Sequence, residues 1–227
     1  MREIAPDVFH VPVTPRNGVN TYVIGEVLVD TGLPTSAGRL KNLVREHDIK
    51  AIALTHAHGD HVGSAKKLRD EFGLPVWVGT KDREATEQGK AVKKDPFNTA
   101  GISVIAGALG DFKAVKVDRV LNEGDELTAG FTVIDTPGHS PGHVSFWRAE
   151  DKTLICGDVF FNMNILTTIP GLRQPPGPFT VNPKENRDSE RKVADLRPKT
   201  VGFGHGPVLS DNAASKLSDF VAALPAG

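Results

Sequence analysis

The sequence predicts an α/β fold in which two strand-led halves stack their sheets and carry helices on the outer faces. Three observations predict it. Short β-branched runs lead each half and helical periods follow them. Residues 21–32 (TYVIGEVLVDTG) and 144–158 (VSFWRAEDKTLICGD) are both strand–turn–strand units ending in an acid beside Gly. The 227 residues, 39% hydrophobic and 24% charged, are enough to bury a core and rule out a wholly disordered chain.

Each element has its own reason. Residues 8–13 and 20–30 read as strands, the second broken at Gly25-Glu26 by a hairpin turn. Residues 36–47 read as a helix with Leu40, Leu43 and Val44 on one face. The apolar run 51–54 is too short for a helix and reads as a buried strand. A helix is expected over 62–72, with Val62, Ala65, Leu68 and Phe72 inward and Gly73 as its stop. Residues 76–78 form another strand. The charged stretch 81–94 reads as a solvated helix, and 95–113 show no clear period. From Val115 the strands return, at 131–135, 144–147 and 153–156. Residues 182–196 read as a helix with Pro183 in its first turn, where a missing N–H costs nothing. A strand over 200–203 and a helix over 210–224, capped by Ser210 or Asp211, complete the chain.

Composition narrows the function. Lys plus Arg number 27 and Asp plus Glu 28, so no strong field draws in nucleic acid or an anionic membrane. The short basic runs, Lys66-Lys67 and Lys93-Lys94, are too small for an RNA-processing surface. Met1-Arg-Glu-Ile-Ala-Pro-Asp has charge and Pro where a secretory signal carries its apolar stretch, so a cytoplasmic protein is expected. The largely uncharged stretch before Lys184 contains five prolines between Pro170 and Pro183 and cannot be one membrane-spanning helix. The lone Cys156 excludes an internal disulfide and reads as a buried core thiol. With eight His against one Cys, a metal site must be built from imidazole and carboxylate.

The strand 51–54 runs into Thr55-His56-Ala57-His58-Gly59-Asp60-His61, four ligand-type side chains in six residues. His56 and His58, two apart on extended chain, point the same way, and Gly59 lets the chain turn so that Asp60 and His61 face the same site. Such a mixture suits zinc, iron or manganese and does not choose among them. Three more strands deliver candidates beside Gly: His139 in Thr136-Pro-Gly-His139-Ser-Pro-Gly-His143, Asp158 in Gly157-Asp158, and His205 in Gly204-His205-Gly206. Asp30, in Val29-Asp30-Thr31-Gly32, is the candidate to orient a ligand ring from behind. His143 is expected to hydrogen-bond within its Pro-Gly-His turn, and His10 and His47 to be surface or strand-end residues.

His56-x-His58-x-Asp60-His61 with the later His139, Asp158 and His205 resembles the metallo-β-lactamase superfamily, in its hydrolase branch. The resemblance runs from the hairpin at 20–32 to Gly206. It implies an αββα sandwich as one domain over 1–227, and a pair of divalent metal ions, zinc first, with iron or manganese as alternatives. His56, His58 and His139 would hold one ion, Asp60, His61 and His205 the other, and Asp158 would bridge them. A hydroxide between the ions would be the nucleophile, with Asp60 also placed to accept a proton.

The departures within that family select a reading. Asp158 stands where several true β-lactamases carry a thiol or hydroxyl, and His61 where some carry Arg. Glyoxalase II proteins share this ligand set, but only 22 residues follow His205, too few for their glutathione-binding helical region. Quorum-quenching lactonases use a Tyr after the bridging Asp, whereas Phe160 and Phe161 follow here and the one Tyr is Tyr22. The expected function is therefore dinuclear metal-dependent hydrolysis of a small ester, thioester or lactone, glyoxalase II-like or lactonase-like. The alternatives are a single-iron persulfide dioxygenase, a phosphodiesterase or β-lactam hydrolase of the same fold, and a non-enzymatic metal module. The partner is a small-molecule substrate, with no nucleic acid or membrane and with a homodimer open. The Phe-, Ile- and Pro-rich loop 159–183 is a substrate wall or lid, or else a packed loop or dimer contact.

Overall fold

A computed structural model describes residues 1–92 and 110–225. Among these residues, β1 (Arg2–Ala5), β2 (Val8–Pro12), β3 (Asn20–Ile24), β4 (Val27–Val29), β5 (Ala51–Leu54), β6 (Val76–Gly79) and β7 (Arg119–Leu121) form one sheet in chain order. Strands β8 (Thr132–Asp135), β9 (Val144–Arg148), β10 (Thr153–Ile155) and β13 (Thr200–Gly202) form a second, in the order β13-β10-β9-β8. A hairpin of β11 (Phe161–Met163) and β12 (Pro170–Arg173) stands apart from both. The helices are α1 (Ala37–Glu46), α2 (Gly59–Val62), α3 (Ala65–Phe72), α4 (Arg83–Gln88), α5 (Pro183–Asp195) and α6 (Ala213–Ala222).

Side-chain alternation along the strands makes the layers. In β5, Ala51 and Ala53 face the second sheet and pack with Phe131, Val133, Phe146 and Ile155. Ile52 and Leu54 face the other way, onto Leu40, Leu43 and Val44 of α1 and Leu68 of α3. In β10, Ile155 turns inward while Leu154 packs outward with Val193 of α5 and Leu217 of α6. The result is helix, sheet, sheet, helix, the αββα sandwich the sequence implied.

Orientation then places the site. Strands β4, β5 and β6 are parallel, and in the second sheet β8, β10 and β13 share one direction because β8 and β10 each run antiparallel to β9. The sheets are tied near this rim by Val144 N–H to Thr55 C=O at 2.9 Å and Asn20 N–H to Gly204 C=O at 2.9 Å.

Several expectations need correcting. The helix over 62–72 is two pieces, because the chain breaks at Gly63-Ser64 where α2 abuts the turn at Gly32. A Cβ on Gly63 would lie 2.6 Å from Gly32 O and 2.5 Å from Gly59 O. The solvated helix over 81–94 shrinks to α4, stopped by Gly89 at φ 70°, and its entry is buried at Asp82 and Thr86. Residues 93 and 94, and most of 95–113, lie outside the described residues. The last helix starts after Asn212, left-handed at φ 53°, and neither Ser210 nor Asp211 caps it. Strand β1 had no signal beyond its pairing with β2, and the loop 159–183 contains the β11–β12 hairpin. Asn182 does cap α5, accepting from Glu185 N–H at 3.2 Å. No helix among the described residues is long and apolar enough to cross a membrane.

Candidate metal centre

The ligand-type residues follow the carboxyl ends of β5, β8, β10 and β13. Apolar β5 ends at Leu54, and His56 and His58 follow on chain still extended at His58 (φ −114°, ψ 152°). The turn α2 then presents Asp60 and His61, its backbone pinned where Thr31 N–H and Oγ–H both donate to His61 O, at 2.7 and 2.8 Å. Gly204 admits a close approach, since a Cβ there would sit 2.0 Å from Asp158 Oδ1.

All seven candidates converge and are at most 5% exposed. His58 Nδ1 lies 2.9 Å from His56 Nε2 and 3.0 Å from His139 Nε2, so three imidazole nitrogens meet at one point. His205 Nε2 and His61 Nε2 stand 3.3 and 3.9 Å from Asp60 Oδ2. Asp158 Oδ2 reaches both groups: 3.4 Å to His139 and 3.8 Å to His56 on one side, 3.2 Å to His205 and 3.4 Å to His61 on the other.

The outward ring nitrogens are all held. His61 Nδ1 donates to Asp30 Oδ2 at 2.8 Å, His58 Nε2 to Val92 O at 2.7 Å, and His205 Nδ1 to Gly18 O at 2.5 Å. His139 Nδ1 meets Thr180 Oγ1 at 3.3 Å. Thr55 donates its hydroxyl to Asp30 Oδ2 at 2.8 Å, which leaves its oxygen to accept from His56 Nδ1 at 2.9 Å. Asp30 therefore orients two candidate ligand rings, one directly and one through Thr55.

These residues fit divalent cations. Asp60 Oδ1, Asp158 Oδ1, His61 Nε2 and His205 Nε2 are buried with no hydrogen-bond partner among the described residues. Each unsatisfied buried group costs about 1–3 kcal/mol. Cations between them would be held by the carboxylate oxygens and by the imidazole nitrogens once these give up their protons. Three ligand-atom groups, His56/His58/His139, His56/His61/Asp158 and Asp60/His61/His205, each lie within 4.8 Å.

A match to known sequences decides the family: the family model described as Metallo-beta-lactamase superfamily covers residues 14–205. The chain belongs to the metallo-β-lactamase superfamily. It is 28% identical over 219 residues to the probable metallo-hydrolase YflN of Bacillus subtilis (strain 168), covering 85% of this chain and 80% of that protein. It is 32% identical over 146 residues to the hydroxyacylglutathione hydrolase GloC of Haemophilus influenzae, covering 61% and 62%. Among solved structures, TTHA1623 in a di-iron-bound form superposes with a TM-score of 0.66 at 32% identity, covering 89% of this chain and 94% of that one. The chain is a metal-dependent hydrolase of this superfamily.

Electrostatics split this superfamily member's candidate ligands into two groups. Burial, and the neighbouring imidazoles, hold His56 and His139 well below the ordinary histidine range, and burial lowers His58. For His61 and His205 burial also opposes the charge, but the carboxylates outweigh it: Asp158, Asp30 and Asp60 at His61, Asp158 and Asp60 at His205. His61 is raised well above its ordinary value and His205 to about 10. Burial works against ionised Asp158, and His205 and His61 more than compensate, so it stays well below the usual carboxylate range.

Other histidines differ from expectation. His143 is not confined to its own turn: Nδ1 meets Thr136 Oγ1 at 2.8 Å and Nε2 accepts the Asp158 N–H at 3.1 Å. Burial pushes it down to about 3, so it is a neutral acceptor that fixes the Asp158 backbone. His10 is buried, not superficial, and meets Asn20 Oδ1 at 2.9 Å. Asn20 Nδ2 in turn donates to Phe203 O and Gly206 O on either side of His205. His47 is half-buried at the end of α1, its ring 5.5 Å from that of Phe9. Tyr22 is buried, donates to Phe203 O at 2.8 Å, and lies away from the pocket. Thr55, Val92 and Thr180 carry no sequence signal for their roles, because ring support comes from whichever oxygen the fold brings near.

A cavity of about 160 Å³ opens over the ligands, with Phe161, Met163, Ile165 and Phe179 forming its walls. Leu166 and Ile169, 74% and 59% exposed, mark the turn of the β11–β12 hairpin beside it. Arg16 Nη1 donates across to Thr168 Oγ1 at 3.2 Å. The stretch after Asp158 thus supplies a pocket wall, one of its two expected roles.

Proposed function

We propose that this chain is a dinuclear metal hydrolase of a small ester, thioester or lactone with an apolar acyl part. The observation that carries the reading is Asp158 Oδ2, within 3.2–3.8 Å of imidazole nitrogens from both ligand groups. His56, His58 and His139 would hold one ion, Asp60, His61 and His205 the other, and Asp158 would contact both. Zinc is the first choice for that mixture, with iron or manganese accommodated. When bound, the ions would supply hydroxide at neutral pH and offset the negative charge that develops on the substrate oxygen.

The chain's own residues do the rest. Phe161, Met163, Ile165 and Phe179 seat the acyl part and exclude water, which strengthens every charge interaction at the floor. Asp60 Oδ1, buried without a hydrogen-bond partner among the described residues, is placed to hold a proton during attack. Among the described residues none of the cavity lining is Lys or Arg, which favours an uncharged acyl group over a polyanion. Likeness to a hydroxyacylglutathione hydrolase supports a thioester, and likeness to a di-iron protein supports two ions.

The test is elemental analysis of protein purified without added metal, paired with thioester, lactone, phosphodiester and β-lactam substrates. Two ions per chain and thioester or lactone turnover, abolished in His56→Ala and Asp158→Ala that still fold, are expected. A single iron with oxygen uptake on a persulfide, or full activity in metal-stripped Asp158→Ala, overturns it.

A further inference from the structure

We infer that Asp82 is a positioning residue for the imidazole trio: one buried carboxylate ties the loop carrying His56 and His58 to the loop carrying His139. The inference rests on the metal-centre reading above. Asp82 Oδ2 accepts from Ala57 N–H, between His56 and His58, at 2.9 Å. The same oxygen accepts from the hydroxyl of Ser140, next to His139, at 2.5 Å, and Oδ1 accepts from Gly142 N–H at 2.6 Å. The two loops leave β5 and β8, which belong to different sheets, so the carboxylate braces ligands across the sandwich.

Two further observations separate this from an ordinary helix start. Asp82 occupies the N-cap of α4, where a carboxylate usually bonds its own helix, yet its side chain makes no capping bond. A cap of that kind is worth about 1 kcal/mol, and here the local preference yields to the distant contacts. The approach also depends on missing side chains. A Cβ on Gly142 would lie 2.3 Å from Asp82 N and 2.8 Å from Oδ1, and one on Gly79 would lie 1.9 Å from Gly142 O. The turn after β6 and the turn after His139 touch only because both are Gly at these points.

The consequence is local. Three nitrogens hold one ion well only when their spacing is fixed to about 0.5 Å, and removing a supporting partner of a ligand typically costs about 10–100-fold in metal affinity. Loss of the brace therefore loosens the trio and leaves Asp60, His61 and His205, supported by Asp30 and Gly18, largely alone.

Zinc affinity by chelator competition, measured in two backgrounds, tests this. His205→Ala leaves the trio, and His56→Ala leaves the second group. Asp82→Asn, which keeps the size and exchanges one acceptor for a donor, should weaken zinc about 10–100-fold in the first background and less than about threefold in the second. Equal affinity with and without Asp82→Asn in the His205→Ala background, or equal losses in both, overturns the inference. If Asp82→Asn does not fold by circular dichroism, Ser140→Ala removes one of the three donors and keeps the carboxylate, and the same trio-specific loss decides. Wild-type protein that takes up no zinc, iron or manganese overturns the metal-centre reading itself, a result separable from any effect at Asp82.

Discussion

Asp30 Oδ2 lies 2.8 Å from His61 Nδ1 and, through the Thr55 hydroxyl, also fixes the ring of His56. Asp30 itself sits in the left-handed region at φ 60°, which Asn adopts more readily than Ala. Asp30→Asn should therefore keep the fold and weaken metal binding at the second group about 10–100-fold, read by metal titration. Binding unchanged from wild type would show that the ring needs no such support.

Metal uptake should release protons unequally. The carboxylates raise His61 well above its ordinary value and His205 to about 10, which favours their charged forms, whereas burial lowers His56, His58 and His139 and favours their neutral forms. Ligation requires neutral imidazole. Apart from protons lost by metal-bound water, filling the second group should release more protons than filling the trio, and affinity at the second group should rise with pH. Calorimetry in buffers of different ionisation enthalpy measures this directly.

Glu190 gives stability a separate pH dependence. It is fully buried on α5, accepts from Gln174 Nε2 and Asn186 Nδ2, both at 3.1 Å, and burial pushes it up to about 8. Because the folded value exceeds the ordinary 4.5, its contribution is fully present below that value and is lost as pH rises through about 8. Denaturant melts should show wild type losing on the order of 3 kcal/mol relative to Glu190→Gln between pH 5 and pH 9. A difference that stays constant over that range would refute it.

Cys156 should be inert in the folded protein. It is fully buried with Leu154, Val159 and Phe160, and burial raises its thiol. An aromatic disulfide reagent should label no thiol natively and one per chain in denaturant. Rapid native labelling would mean that this part of the second sheet opens readily.

The sequence by itself determined the fold class and the ligand-type cluster, because both are short-range. Short apolar runs such as that of β5 mark strands buried on both faces, and His56, His58, Asp60 and His61 follow one of them within seven residues. Resemblance then joined His139, Asp158 and His205 to them. Only the tertiary structure decided what lies behind the ligands. Val92, Thr180, Gly18 and Asp82 act through oxygens that any number of residues could supply, and they come from other loops or other sheets. Asp82 was hidden in a charged stretch that reads as solvated, since charge density along the chain cannot tell a carboxylate facing water from one facing three inward donors. The break between α2 and α3 was hidden for the same reason: Gly63 is needed by the backbone of Gly32, 31 residues away in the chain. Periodicity reports which face is apolar, and contacts between distant backbones leave no period to read.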